Sequence, residues 1–266
     1  MKKILLMLVM LLVLVGCSNG KSSTEETTDP EKTQTSALWS DELLSDGVIS
    51  VGVSPDYPPY EGLSESGELE GFDIEFMQAV VDQVNANNGT DVKLEWVQME
   101  FSAIITALQM GQLDFGMSGF TFDEERDVLY STPYIDSSTL VITNGNEDIK
   151  SIADLTGKVI GVQLGSTGEI YAKEIENAEV VSISDVNVLV ESLKANAYDA
   201  VALDQGVAMN YVENAGFTLV DGVLADESMF VIAKNGQESL MDEINKAIEE
   251  FKASDAYTQL LAKWGL

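Results

Sequence analysis

Two blocks of the chain, 48–118 and 158–214, each alternate short β-branched runs with amphipathic helical stretches, and this repeated order leaves few folds open. Parallel strands cannot be joined by a tight hairpin and need a crossover, so strand-helix-strand-helix-strand predicts a parallel sheet covered by helices on both faces. In the first block "VISVGV" (48–53), "VKLEWV" (92–97) and "LDFGMS" (113–118) read as strands, and "DIEFMQAVVDQV" (73–84) and "SAIITALQMG" (102–111) as helices. Ile74, Met77, Val80, Val81 and Val84 fall on one helical face, with Asp73 placed to cap it. In the second block "KVIGV" (158–162), "EVVSI" (179–183) and "YDAVAL" (198–203) read as strands, with helices at about 167–176, 186–195 and 206–214.

The two blocks share a layout but little letter-for-letter identity, which predicts two lobes of related architecture. "SMFVIAK" (228–234) and two amphipathic segments, 239–253 and 255–264, follow, and the helical pair is expected to pack back on the first lobe. The chain then crosses between lobes twice, near 137–142 and 226–231. The expected organisation is lobe one at 38–138, lobe two at 139–227 and a return at 228–266. The fold class is α/β: two lobes with mixed, mainly parallel sheets, a two-strand hinge and a cleft between them.

The first residues read as an address. Lys2 and Lys3 precede an unbroken apolar run from Ile4 to Val15, shorter than the roughly 20 residues a membrane-spanning helix needs but suited to a signal peptide. The run ends in Leu14-Val15-Gly16-Cys17, which resembles the bacterial lipoprotein cleavage signal. Residues 1–16 are thus expected to be removed, leaving Cys17 as a lipidated first residue. Cys17 is the only cysteine, so no disulfide forms within one chain. Residues 17–37, rich in Ser, Thr and Glu, are expected to be a flexible tether.

Composition removes whole classes of function. Loss of 1–16 takes two lysines and no acid, leaving 45 acids against 12 bases, a formal charge of −33. Such a balance opposes nucleic acid and contact of the protein body with an anionic membrane, leaving the lipid as the only membrane attachment. There is no histidine, which removes His-based nucleophile systems, His metal sites and His general bases. No phosphate-binding loop or nucleophile elbow is present, so neither cofactor nor metal is expected and the chain reads as a binder rather than an enzyme.

Open α/β sheets bind ligands beyond the carboxyl ends of their strands, which makes 54–60, 118–121, 163–168 and 204–206 the segments to line a cleft. "GFTFDEER" (119–126) carries the chain's only arginine, Arg126. With the Thr121 hydroxyl, amides expected to be free near Gly119 and a short helix expected from Phe122, it makes a site for a planar carboxylate. "QLGSTG" (163–168) presents amides of Ser166 to Gly168 from the other lobe. Asp204 ends a strand, where an unpaired carboxylate would face an ammonium group. Tyr57, on the Pro-stiffened loop 54–62, and Phe101 are wall candidates, while Tyr60 reads as core.

"VGVSPDYPPYE", "GFDIEFMQAV", "MEFSAIITALQMGQLD", "SGFTFDEER", "STPYIDS", "DLTGKVIGVQLGSTGE" and "YDAVALDQGVAMNYV", in this order and spacing, resemble family 3 solute-binding proteins, the extracytoplasmic amino-acid receptors of ABC importers. The resemblance covers essentially all of 45–266. It implies a type 2 periplasmic-binding-protein fold that closes on one free amino acid without chemistry and docks on an ABC permease driven by a separate ATPase. By position it assigns the ligand carboxylate to Arg126, Thr121, Gly119 and Thr167, the α-ammonium to Asp204, and the side-chain sandwich to Tyr57 and Phe101. Many members carry an acid where this chain has Ser54. Gln163 and Leu203 also stand at side-chain-reading positions, so a neutral or polar amino acid is expected. A cationic ligand remains an alternative through Asp56, Glu61 or Glu100; a dehydratase-like enzyme and a sensor module on the same fold are the others.

Overall fold

The computed structural model describes residues 47–266. The expected signal peptide, Cys17 and tether lie outside the described residues. In chain order the first lobe holds β1 (Val48–Val53), a small hairpin of β2 (Gly62–Leu63) and β3 (Leu69–Glu70), α1 (Phe72–Asn88), β4 (Lys93–Gln98), α2 (Phe101–Gln109), β5 (Phe115–Gly116) and β6 (Leu129–Tyr130). A nine-residue strand, β7 (Ile135–Thr143), carries the chain into the second lobe. There follow β8 (Val159–Gln163), α3 (Thr167–Glu174), β9 (Glu179–Ile183), α4 (Val186–Lys194), β10 (Ala200–Asp204), α5 (Gln205–Ala215) and β11 (Thr218–Leu219). The chain returns through β12 (Ala225–Met229) to β13 (Ile232–Ala233) and ends in α6 (Glu238–Lys252) and α7 (Asp255–Trp264).

The sheets are ordered β4-β1-β5-β13-β6 and β11-β7-β10-β8-β9, with β12 beside β7. The crossover strands pair in parallel: β1 with β4 and β5, β8 with β9 and β10. The connecting strands pair antiparallel: β13 with β5 and β6, β7 with β10. The mixture follows from connectivity, because a chain entering a lobe once and leaving it once adds strands of opposite direction at each passage. The two passages are themselves paired, Ile135 opposite Met229 through Thr139 opposite Ala225, which makes the hinge a two-stranded antiparallel ribbon. The expected lobe limits at 138/139 and 227/228 fall inside this ribbon.

Several local expectations are corrected. α1 begins at Phe72 with Gly71 as N-cap, and Asp73 makes no cap. Gly71 stands at φ 141°, and a Cβ there would sit 2.1 Å from the Tyr60 carbonyl oxygen, so only glycine fits. The buried face of α1 is Phe72, Asp73, Phe76, Met77, Val80, Val81 and Val84, with Ile74 only half-buried. The run 113–118 contributes two strand residues rather than six, and 228–234 divides between β12 and β13 where the chain passes from hinge to first lobe. No helix starts at Phe122; residues 124–125 form a turn.

The last two helices pack on α1. Phe76 lies against Phe251 and Tyr257, and Lys263 bridges to Glu75. Phe72, Phe76 and Tyr134 stack at centroid distances of 5.2–6.3 Å, so the core of the first lobe is aromatic where it meets the hinge. Among the described residues no helix is long and apolar enough to cross a membrane.

Candidate functional site

The carboxyl ends of β1, β4 and β5 face those of β8 and β10, and the lobes are closed on one another. Among the described residues four hydrogen-bonded pairs join them. Thr121 and Thr167 share a hydroxyl–hydroxyl bond of 2.7 Å. The Tyr57 hydroxyl donates to Asp204 Oδ2 at 2.6 Å and accepts from the Asp204 amide at 3.0 Å. A terminal nitrogen of Arg126 donates to the Gly165 carbonyl at 2.9 Å. The Asp56 carboxylate accepts from the Val186 amide at 2.7 Å, capping α4 from the opposite lobe.

Between these contacts remains a cavity of about 10 Å³, room for about one water. Seven expected site residues line it: Tyr57, Phe101, Gly119 and Thr121 from the first lobe, and Gln163, Thr167 and Asp204 from the second. Arg126 and Ser54 do not. Ser54 is buried behind the wall, its hydroxyl on Asp56 at 2.8 Å and its amide on the Ser118 hydroxyl at 3.1 Å. Of the acids expected to reach in for a cationic ligand, Asp56 caps α4, Glu61 is buried against Ser118, and Glu100 is exposed.

Arg126 sits at the rim with its side chain 6 % exposed. Its guanidinium lies 5.9 Å from the Phe101 ring and 5.6 Å from the Phe120 ring, which stack at 4.5 Å. One terminal nitrogen donates to the Thr121 carbonyl at 2.7 Å and the other to Gly165, and the Tyr130 hydroxyl is a further hydrogen-bond partner of the guanidinium. Asp123 stands 3.6 Å from Nε. The arginine is therefore held in one pose by two aromatic faces and two carbonyls, which lowers the entropy cost of using it as a fork.

The expected free amides are only partly free. Gly119 N–H donates to Asp73 Oδ2 at 3.3 Å, and Ser166 N–H closes the turn on the Gln163 carbonyl. Thr167 and Gly168 open α3, where amides have no intrahelical acceptor. Ser166 caps that helix, accepting from the Glu169 amide, while the Glu169 carboxylate returns to the Gly165 amide at 2.8 Å. Gly119 stands at φ 62°, and a Cβ there would meet the Tyr57 ring at 3.3 Å.

Asp204 is not unpaired as expected, because Tyr57 donates to it. Burial pushes its carboxyl up to about 7; the Tyr57 hydrogen bond opposes this, Glu227 adds to it, and Arg126 opposes. Burial and the Asp204 charge push the Tyr57 hydroxyl well up, so it stays a donor.

Ser118 and Ser166 fall in segments the sequence marked as cleft lining, although no side-chain role was read for either, and Thr139 is the polar wall residue that sequence reasoning missed. Thr139 donates to Glu227, which also accepts from the Tyr171 hydroxyl at 3.2 Å. Its signal was a hydroxyl residue just before the buried apolar run Leu140, Val141 and Ile142 of β7. Ser166 was marked by its Ser-x-x-Glu spacing. Among the described residues no cluster of acidic or sulfur side chains is placed to hold a metal.

Two α/β lobes on a two-strand hinge, with polar and aromatic side chains converging between them, define a bilobal small-molecule receptor. Residues 49–266 match the model for bacterial extracellular solute-binding proteins, family 3. The chain is 31 % identical over 263 residues to the probable histidine-binding protein of Campylobacter jejuni, covering 96 % of this chain and 94 % of that protein. It is 31 % identical over 225 residues to the arginine-binding extracellular protein ArtP of Bacillus subtilis, covering 81 % and 85 %. The crystal structure of the substrate-binding protein of an amino acid ABC transporter matches with a TM-score of 0.74 at 33 % identity, covering 82 % and 98 %. The chain belongs to family 3 of the bacterial extracellular solute-binding proteins and is an amino-acid-binding protein of the ABC-transporter type.

Proposed function

We propose that this protein captures one free amino acid, neutral and polar in its side chain, and delivers it to an ABC permease powered by a separate ATPase. The single observation that carries the reading is the juxtaposition of Thr121 with Thr167 and of Tyr57 with Asp204 across the closed cleft. The first pair consists of donors suited to a carboxylate, with the Arg126 fork beside it. The second ends in an acceptor suited to an ammonium. Neutrality of the side-chain end is supported by Gln163 and Leu203 in the cavity wall, and by the engagement of Asp56 and Glu61 elsewhere. Lipid attachment through Cys17, holding the protein outside the cell membrane, is part of the same proposal and rests on the sequence signal at 14–17.

A cationic side chain is the second reading, favoured by relatives whose names specify histidine and arginine. The deciding experiment is a thermal-shift screen of the ligand-free protein against the standard amino acids with ornithine, citrulline and cystine. A ligand of the folded state adds about 2.7 kcal/mol of stability at 100 times its dissociation constant. Shifts with glutamine or its neutral neighbours support the first reading, and shifts with arginine, lysine and ornithine alone overturn it. No shift with any amino acid overturns capture itself.

A further inference from the structure

Behind the cleft wall lies a pair of acids that the ligand reading does not use. Glu61 and Asp73 are both 0 % exposed. Glu61 Oε1 accepts from the Ser118 hydroxyl at 2.7 Å. Asp73 Oδ2 accepts from the Gly119 amide at 3.3 Å and from the Tyr134 hydroxyl at 2.8 Å. The other two oxygens, Glu61 Oε2 and Asp73 Oδ1, are buried and have no donor from any other group. The two carboxyls lie side by side: they hold the adjacent residues Ser118 and Gly119, and the Asp73 amide donates to the carbonyl of Tyr60, next to Glu61, at 2.8 Å.

An ionised carboxylate is acceptor-only, so two of them facing each other in a dry interior leave both oxygens orphaned and both charges opposed. One proton between Oε2 and Oδ1 turns the two orphans into a donor and an acceptor. The remaining bonds fix where it goes, because Oε1 and Oδ2 already receive donors. Burial pushes both carboxyls up, and the Asp73 charge adds to this at Glu61, so the pair retains a proton.

We propose that Glu61 and Asp73 share a single proton along the Oε2–Oδ1 edge, and that this pair is a positioning element of the ligand site, fixing how Ser118 and Gly119 face the cleft. The second half rests on the reading of the cleft as the ligand site. Ser118 spends its only proton on Glu61 and already accepts from the Ser54 amide, so toward the cavity it has only an acceptor to offer. It lines the same cavity as Asp204, and the two together favour an ammonium over a carboxylate at that corner. The Gly119 amide is withdrawn from ligand binding and anchors the end of β5 instead.

An amide replacement cycle tests both halves. In Glu61→Gln the amide carbonyl takes the Ser118 bond and the NH2 donates to Asp73. In Asp73→Asn the carbonyl keeps Gly119 and Tyr134 and the NH2 donates to an ionised Glu61. Glu61→Gln/Asp73→Asn sets two NH2 groups against each other. Each single variant is expected to melt within about 2 °C of the parent in the absence of ligand, and the double at least about 5 °C below it. An additive double variant overturns the shared proton.

For positioning, Glu61→Ala is expected to weaken binding of L-glutamine or L-arginine, whichever the parent binds, at least tenfold, with Glu61→Gln recovering most of the loss. It is also expected to displace the Gly119 and Ser54 amide resonances in ¹⁵N NMR spectra, and Glu61→Gln to restore them. An alanine variant with parental affinity or unmoved resonances overturns the positioning role. If neither amino acid binds the parent, capture of these ligands fails, while the melting cycle and the resonances still decide this proposal.

Discussion

Asp204 gives the sharpest prediction, because its ionisation and the ammonium-binding role proposed for it pull against each other. Its carboxyl is raised to about 7 first by burial, with Glu227 and Asp73 adding and the Tyr57 hydrogen bond and Arg126 opposing. Only the ionised form accepts an ammonium without a proton in the way. The free amino acid stays zwitterionic from pH 5 to 8, so the protein's protonation divides the affinity by 1 + 10^(7 − pH). That factor is about 2 at pH 7, about 11 at pH 6 and about 100 at pH 5. The binding free energy then weakens by about 2.7 kcal/mol from pH 8 to pH 5. Calorimetry with a ligand of non-titrating side chain measures it, and proton release on binding near pH 6 appears as a dependence of the observed heat on buffer ionisation enthalpy. Asp204→Asn is expected to bind weakly with a flat profile. An affinity constant within threefold over pH 5–8, or the same slope in Asp204→Asn, would refute the assignment of the ammonium to Asp204.

Arg126→Ala frees the Thr121 and Gly165 carbonyls and, on the proposed reading, strands the ligand carboxylate. It is expected to cost about 3–5 kcal/mol of binding, on the order of 10² to 10³-fold or more, and a loss under threefold by calorimetry removes Arg126 from the site. Asp56→Ala removes the carboxylate that caps α4 across the cleft. It is expected to cost closure about 1–2 kcal/mol and to speed ligand release about tenfold in stopped flow; unchanged release places the latch elsewhere. Phe76→Ala opens a hole among Phe72, Tyr134, Phe251 and Tyr257 and is expected to lower unfolding stability by about 3–5 kcal/mol in urea titrations. Ligand-free stability is expected to fall as pH rises from 5 to 8, the reverse of a typical carboxylate-stabilised protein. Asp56, Glu61, Asp73 and Asp204 all bind protons more tightly folded than unfolded, so the stability they confer is present at low pH and lost as pH rises, through about 6 for Asp73 and about 7 for Asp204. A melting temperature that climbs over that range contradicts these shifts.

The parts legible in the sequence are those that local periodicity determines. The strands at 48–53 and 179–183 and the helix at 255–264 lie where the pattern put them. Pattern failed where long-range pairing decides the structure. β5 keeps two strand residues of the six in 113–118, matching the two residues of its antiparallel partner, the returning β13, whose position no local signal gives. Asp73 reads as a cap because Asp commonly is one; in the fold Gly71 takes that place and Asp73 turns inward to Gly119 and Tyr134, 46 and 61 residues away. The inter-lobe cavity is lined by strand-end segments that the sequence marked, with Tyr57, Gly119 and Thr121 from one lobe and Gln163, Thr167 and Asp204 from the other. What each polar group bonds to was not legible, because the amide of Gly119 and the hydroxyl of Ser118 are committed to partners behind the wall.

Those commitments bear on how such a receptor closes. Closed, the cleft joins Thr121 to Thr167 and Tyr57 to Asp204, so groups proposed for the ligand are satisfied by one another. A bound carboxylate would take up both threonine hydroxyls, and an ammonium would replace Tyr57 on Asp204. Ligand entry then exchanges hydrogen bonds within the cleft and adds few new ones. The surplus that favours the liganded closed form must come from charge: the carboxylate beside Arg126 and the ammonium on a carboxylate raised to about 7. A ligand shifts the equilibrium only by its differential affinity for the two forms. An amino acid stripped of one charge, such as its amide or its deaminated acid, should therefore lose its power to close the lobes more steeply than a hydrogen-bond count implies. Small-angle scattering of the protein with L-glutamine against its α-amide measures this, if glutamine is the ligand the screen selects, and equal compaction with both would place the driving force in the Tyr57–Phe101 contact instead.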